Sequence, residues 1–163
     1  MAPTVDLDAT SIAIRVGAAL LAGAILGIDR ELKRKPAGLR THSMVCIGAS
    51  IVVLAVIGAS PGDADALSHA IQGIITGIGF LGAGVIMQYE HERRVEGLTT
   101  AASIWVAAGL GIACGAGLVE LVAIAMAGAI LVLVGGNWIE GALRRRTESK
   151  LLDTPPDHDR RGK

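Results

Sequence analysis

Charged residues along this chain come in blocks, and long apolar stretches separate them. The clearest stretch runs from Leu98 to Ile139, 42 residues in which Glu120 is the only Asp, Glu, Lys or Arg. As one helix rising about 1.5 Å per residue it would reach roughly 60 Å, two bilayer cores end to end, so it must fold back once. Windows of about 20 apolar residues, the length that crosses a bilayer, fall at Ile12–Ile28, Ser43–Ala59, His69–Gln88, Leu98–Ala116 and Leu118–Trp138. The pattern predicts an all-α, polytopic membrane protein with five transmembrane helices. Its parts are an external segment (residues 1–11), the spanning domain (12–138) and a charged cytoplasmic tail (139–163). That tail holds Pro155-Pro156 and is expected to be disordered.

The connections alternate in charge. A basic loop (Asp29–Arg40) follows the first span, an acidic loop (Ser60–Ser68) the second and a mixed loop (Tyr89–Gly97) the third; a glycine turn (Gly115–Gly117) joins the last two. These segments and the tail hold five, none, two, none and seven Lys and Arg, and residues 1–11 hold none. Fourteen of the fifteen basic residues therefore fall on one side, which places the N-terminus outside and the C-terminus in the cytoplasm. The exception, Arg15, is expected to snorkel to the outer interface, and Tyr89 and Trp138 to sit at the inner one. A cleaved secretory signal is the rival for the first span, since Ala22-Gly23-Ala24 mimics a cleavage site. Asp6 and Asp8 make the preceding segment acidic, which favours a retained helix and makes the mature mass a direct check.

Composition adds little beyond this. The 52% hydrophobic content is Ala, Val, Ile and Leu rather than aromatic, and the zero net charge argues against a nucleic-acid partner. Cys46 and Cys114 lie inside apolar runs and read as small buried residues, not as a disulfide or metal pair.

Within the third span, Gly77-Ile-Gly79-Phe-Leu-Gly82 spells the G-x-G-x-x-G of a dinucleotide loop. That motif needs a preceding strand, a solvated crevice and alternating strands and helices around it. An uncharged span supplies none of these, so the glycines are assigned to helix packing, which in lipid depends on close backbone contact. Small-xxx-small pairs recur at Gly23/Gly27, Gly73/Gly77 and Gly111/Gly115 on three different helices. The five glycines of the third span, Gly73, Gly77, Gly79, Gly82 and Gly84, also lower its helix propensity and leave it able to bend.

Candidate chemistry gathers on the inner side. In Gly27-Ile-Asp-Arg-Glu-Leu-Lys-Arg-Lys-Pro-Ala-Gly-Leu-Arg-Thr-His42, Asp29/Lys33 and Glu31/Lys35 have the i, i+4 spacing of helical ion pairs. Pro36 disfavours helix at Lys35, and Gly38 allows a turn into the second span. A second cluster, Gly97-Leu-Thr-Thr-Ala-Ala-Ser-Ile-Trp105, opens the fourth span. Thr99 or Thr100 is the natural N-cap there, with the carboxylate of Asp29 or Glu31 docked at the helix start and Arg30 or Arg40 beside it; a lipid headgroup is the competing ligand. Five bases against two acids make the basic loop a poor divalent-metal site. Glu120 and His69 read as isolated interfacial groups. No catalytic triad or metalloprotease motif is present, so no enzyme activity and no cofactor are expected.

These three blocks, Gly-Ile-Asp-Arg-Glu with Lys-Pro-Ala-Gly-Leu-Arg-Thr-His, Gly-Ile-Gly-Phe-Leu-Gly-Ala-Gly-Val-Ile, and Val-Glu-Gly-Leu-Thr-Thr-Ala-Ala-Ser-Ile-Trp, resemble the membrane domain of the MgtC/SapB family over residues 12 to 138. The resemblance implies a multi-pass protein of the bacterial inner membrane, associated with magnesium limitation, acid stress and virulence. It would act by binding other membrane proteins, such as the proton-translocating ATP synthase or sensor kinases, rather than by carrying magnesium. Carried over position by position, the functional set is Asp29 (often Glu in the family), Arg30, Glu31, Pro36, Gly38, Arg40 and Thr41, with Gly79, Gly82, Thr99 and Thr100; Lys35 lies in the same block. Some relatives continue into an ACT-like C-terminal domain, and functions of that domain are not expected here.

The sequence thus predicts a regulatory or adaptor protein whose glycine-lined helices contact partner helices, with self-association as a homodimer. The alternative is a small transporter or channel for Mg2+ or another cation, for which Gln72, Thr76 and Ser103 are the obvious polar path.

Overall fold

The computed structural model describes residues 7–89 and 94–152, with side chains for residues 7–86 and 96–136. In chain order the elements are α1 (Ala9–Leu32), α2 (Leu39–Ala59), α3 (Ala64–Gly84), β1 (Met87–Tyr89), β2 (Arg94–Glu96), α4 (Leu98–Ala116) and α5 (Val119–Leu152). All five helices are long and apolar enough to cross a membrane, as the apolar windows predicted. The chain divides into two compact units, Met1–Ala129 and Ile130–Lys163, and the division falls within α5.

The helix boundaries differ from the apolar windows for identifiable reasons. Asp8 caps α1, its carboxylate accepting from the Ser11 N–H at 2.8 Å. Asp63 does the same for α3, accepting from Asp65 N–H and Ala66 N–H at 3.0 and 2.9 Å, so α3 begins at Ala64 rather than His69. Hydropathy alone misses these turns because their side chains are polar. At its other end α3 stops at Gly84, short of Gln88, and the chain enters a two-stranded antiparallel hairpin that pairs Met87 with Glu96 and Tyr89 with Arg94. This hairpin is the departure from a purely helical chain. Gly97, at φ +94°, turns β2 into α4 in a place where a Cβ would collide with the Val85 carbonyl.

Beyond Trp138, α5 continues as helix to Leu152, so the stretch expected as a disordered tail begins helical. Residues 1–6, 90–93 and 153–163, with Asp6 and Pro155-Pro156, lie outside the described residues, as do the side chains of Tyr89 and Trp138.

The core is built by α1, α2 and α4, with α2 packed against both neighbours and α1 also touching α4; α3 packs on α4 and more lightly on α2. Two of the three glycine pairs sit at these contacts. A Cβ at Gly23 would lie 2.5 Å from the His42 carbonyl oxygen, and one at Gly27 2.5 Å from Leu39 Cα, so α1 and α2 meet backbone to backbone. Gly111 and Gly115 bring α4 equally close to the Cys46 and Ser50 carbonyls of α2. This is the close packing that substitutes for a hydrophobic drive within lipid.

The third pair behaves differently. Gly73, Gly77, Gly79 and Gly84 have open space where a Cβ would stand, and Gly82 makes only an ordinary contact with Ala101 Cβ at 3.7 Å. Within the described chain these glycines therefore do not bring two helix backbones together. Instead α3 is anchored by aliphatic residues: Ile78 joins Ala37, Ile104 and Ala108, with Ile74 and Val85 packed against them.

Arg15 makes a specific contact at the end of α4. Its Nη1 donates to the Gly115 carbonyl at 2.8 Å, satisfying one of the acceptors that the last turn of α4 leaves open. Cys46 and Cys114 are buried free thiols, as expected, and the Cys46 thiol donates to the Ala107 carbonyl at 2.9 Å.

Candidate functional site

The predicted functional residues lie mostly at the junction of α1, α2 and the start of α4. α1 closes with the Lys35 N–H donating to the Arg30 carbonyl and the Arg34 N–H to the Glu31 carbonyl, both at 3.0 Å. That pairing needs a left-handed residue, and Arg34 supplies it at φ +50°, where glycine is usual. Because the helix ends here, Glu31 and Lys35 are not on one helical face, and the predicted ion pair between them does not form.

Asp29 does pair with Lys33, carboxylate to ammonium at 2.6 Å. Its other oxygen accepts from Arg30 Nη2 at 2.9 Å and Nε at 3.2 Å. Arg30 is 3% exposed, so a buried guanidinium has its countercharge from the preceding residue.

Glu31 reaches a different helix from the one expected. Its carboxylate accepts from the Leu39 N–H at 3.1 Å, at the start of α2 rather than of α4. Gly38 permits this, since a Cβ there would occupy the space of Glu31 Oε2. The Gly38 side of α2 has no side chain of its own to cap the helix, and Glu31 fills that role from α1.

From Gly38 the network continues inward through His42, which is fully buried. His42 Nδ1 lies 2.9 Å from the Gly38 carbonyl oxygen and Nε2 lies 2.9 Å from Ser103 Oγ on α4. Ser103 Oγ in turn is 2.8 Å from the Thr100 carbonyl oxygen. A carbonyl can only accept, so Nδ1 carries a hydrogen. The Thr100 carbonyl also only accepts, so the single Ser103 hydroxyl hydrogen serves either that carbonyl or His42 Nε2, not both at once. The path Glu31, Leu39 and Gly38, His42, Ser103, Thr100 thus links three helices through polar contacts.

At α4 the expected caps are not caps. Gly97 holds the N-cap position, and Thr99 and Thr100 lie within the first turn. Thr99 is exposed, while Thr100 is buried against the His42–Ser103 contact. Among the other predicted residues, Lys35, Pro36 and Arg40 are exposed and Thr41 is half-buried. The structure therefore brings Glu31, Gly38 and Thr100 into one path, holds Asp29 and Arg30 in an ion-pair group with Lys33, and leaves Lys35, Pro36, Arg40 and Thr99 outside both.

Two participants, His42 and Ser103, were not in the predicted functional set. The available signal was a histidine four residues after Gly38, inside the first turn of an otherwise apolar span. The described residues contain no group of three His, Cys, Asp or Glu able to hold a metal ion.

This fold defines a class: a multi-pass helical membrane protein with glycine-mediated helix contacts and a polar junction at one end of its core. Sequence comparison then identifies the family. Residues 16–142 match the family model described as MgtC family, and the chain belongs to that family. It is 36% identical to Protein SrpB of Synechococcus elongatus, over 92% of this chain and 91% of that protein. It is 39% identical to Protein MgtC of Salmonella typhimurium, over 78% of this chain and 52% of that protein. Protein SapB of Bacillus subtilis is 36% identical, over 87% of this chain and 62% of its own length. The chain thus spans most of SrpB but only about half of the Salmonella protein. No solved structure matches it.

Proposed function

We propose that this chain is a regulatory or adaptor protein of the bacterial inner membrane that works by contacting other integral membrane proteins. Its N-terminus would lie outside and its C-terminus in the cytoplasm, following the distribution of Lys and Arg. One observation carries the reading. More than half of the α4 apolar window is buried within the chain (56%), against none of the α3 window (0%) and little of the α5 window (6%). α3 therefore turns one side to the core through Ile78 and leaves the rest of its surface to lipid or to another protein. The polar junction supports the same reading, since its groups are engaged with one another and act to hold α1, α2 and α4 together.

By family, adaptation to low magnesium or to acid stress and a part in virulence are the processes proposed for it, with ATP synthase or a sensor kinase as proposed partners. No enzymatic step is proposed. The alternative, cation transport, would need a carboxylate open to the ion. Asp29 is already shared between Arg30 and Lys33, and a dication would have to displace both.

Purification from native membranes in mild detergent, paired with flux measurements on reconstituted vesicles, separates the two. The adaptor reading expects co-purification of another integral membrane protein and no flux above empty vesicles. Cation flux that disappears in Asp29→Ala would overturn it.

A further inference from the structure

The outward face of α3 carries several polar groups. Ile78 marks the inward side; at 100° per residue, His69, Gln72, Gly73, Thr76 and Phe80 fall on the far side. All five are exposed. Gln72 stands two residues from the midpoint of the 21-residue helix and inside its apolar window, His69–Gln88. Its hydrogen bond is a long one, Nε2 to Ser68 Oγ at 3.4 Å on the same helix, and it leaves the amide carbonyl and one N–H without a partner. On α5, among the described side chains beyond Glu120, the exposed large residues are Val, Leu and Ile. An unsatisfied amide facing hydrocarbon is costly, whereas the same amide against a second polar helix is stabilising.

We infer that α3 is a self-association surface, on which Gln72 and Thr76 of one copy meet Gln72 and Thr76 of a second copy across a two-fold axis normal to the membrane. This rests on the proposal that α3 contacts another transmembrane helix, and it names that helix. Chemistry favours a second copy. An amide and a hydroxyl each donate and accept, so each is complementary to itself, and from Gln72 to Phe80 the face carries no charge to repel its twin; the acidic Asp65 lies on the same side, in the first turn of the helix. The membrane adds a geometric reason: two copies share one topology, so their α3 helices run parallel and equal residues meet at equal depth. Gly73 and Gly77, beside the polar pair and with open space at their Cβ positions, let the two backbones approach.

The test is oxidative crosslinking of the full chain in membranes of the native host. Thr76→Cys is compared with Gly48→Cys, which places a thiol on the exposed side of α2. Cys46 and Cys114 are buried, so the unaltered chain serves as the blank. The expected result is a disulfide-linked dimer for Thr76→Cys and none for Gly48→Cys, with Gln72→Leu lowering dimer yield at limiting protein density by about tenfold. Failure of Thr76→Cys to dimerise, or equal dimerisation from Gly48→Cys, would overturn the proposal. A photo-crosslinker at Gln72 separates the two levels. Adducts with a different membrane protein would sink self-association while leaving the adaptor reading in place; adducts with lipid alone would sink both.

Discussion

His42 Nε2 and Ser103 Oγ stand 2.9 Å apart in the buried interior, joining residues 61 positions distant in the chain. Neither group has water to fall back on; Ser103 also reaches the Thr100 carbonyl, whereas His42 Nε2 depends on Ser103 alone. Replacing Ser103 by Ala leaves a buried ring nitrogen without its partner and is expected to destabilise the fold by about 1–3 kcal/mol. A double-mutant cycle with His42→Ala, read by denaturant unfolding in detergent, should give a coupling of roughly 0.5–3 kcal/mol. Strict additivity of the two substitutions would show that the contact contributes nothing.

The glycines divide into two classes that one experiment distinguishes. Gly23→Ala and Gly111→Ala push a methyl group into backbone of α2, which cannot yield without separating the helices, and a loss of about 1–3 kcal/mol is expected. Gly77→Ala and Gly79→Ala meet open space, and should leave the chain as stable or more stable by about 0.5–1 kcal/mol through helix propensity. Thermal unfolding of the monomer in detergent measures both. Equal effects in the two classes would contradict the packing described.

Glu31 caps a helix that is not its own. Glu31→Ala is expected to cost about 1 kcal/mol, with Glu31→Gln recovering part of it because the amide oxygen still accepts from the Leu39 N–H. Gly38→Ala should act through the same contact, by displacing the carboxylate, so that Glu31→Ala and Gly38→Ala together cost little more than either alone. Unfolding of the four variants in parallel checks this.

Arg15→Leu removes the donor from the Gly115 carbonyl while making α1 more apolar. If the guanidinium served only to reach the interface, this change would leave stability unaltered. The contact to α4 predicts a loss of about 1.5–3 kcal/mol, the usual range for a hydrogen bond to a charged group, measured by the same unfolding assay.

Much of the architecture was legible in the sequence because its determinants are local. Apolar run length fixed the number of spans, and i, i+4 spacing correctly paired Asp29 with Lys33. The glycine pairs at Gly23/Gly27 and Gly111/Gly115 were found by spacing alone, yet the same spacing at Gly73/Gly77 led to an open face. Spacing reports which residues share a side of a helix, not which helix lies opposite, and that distinction is tertiary. For the same reason the sequence offers the start of α4 to Asp29 or Glu31 alike, whereas Glu31 takes the Leu39 N–H of α2. Thr99 and Thr100 fit the residue preferences of a cap, but the hairpin required a left-handed glycine at Gly97, which took the position. His42 passed unremarked because its partner lies on another helix.

The account depends most on α3 turning its polar face away from the core and toward another protein. A photoreactive phenylalanine analogue placed at Phe80 on α3, at Ile14 on α1 and at Val52 on α2, in membranes of the native host, tests this in one comparison; all three positions are exposed. Protein adducts concentrated at Phe80, with lipid adducts at Ile14 and Val52, are the predicted result. Lipid adducts alone at all three positions would contradict it.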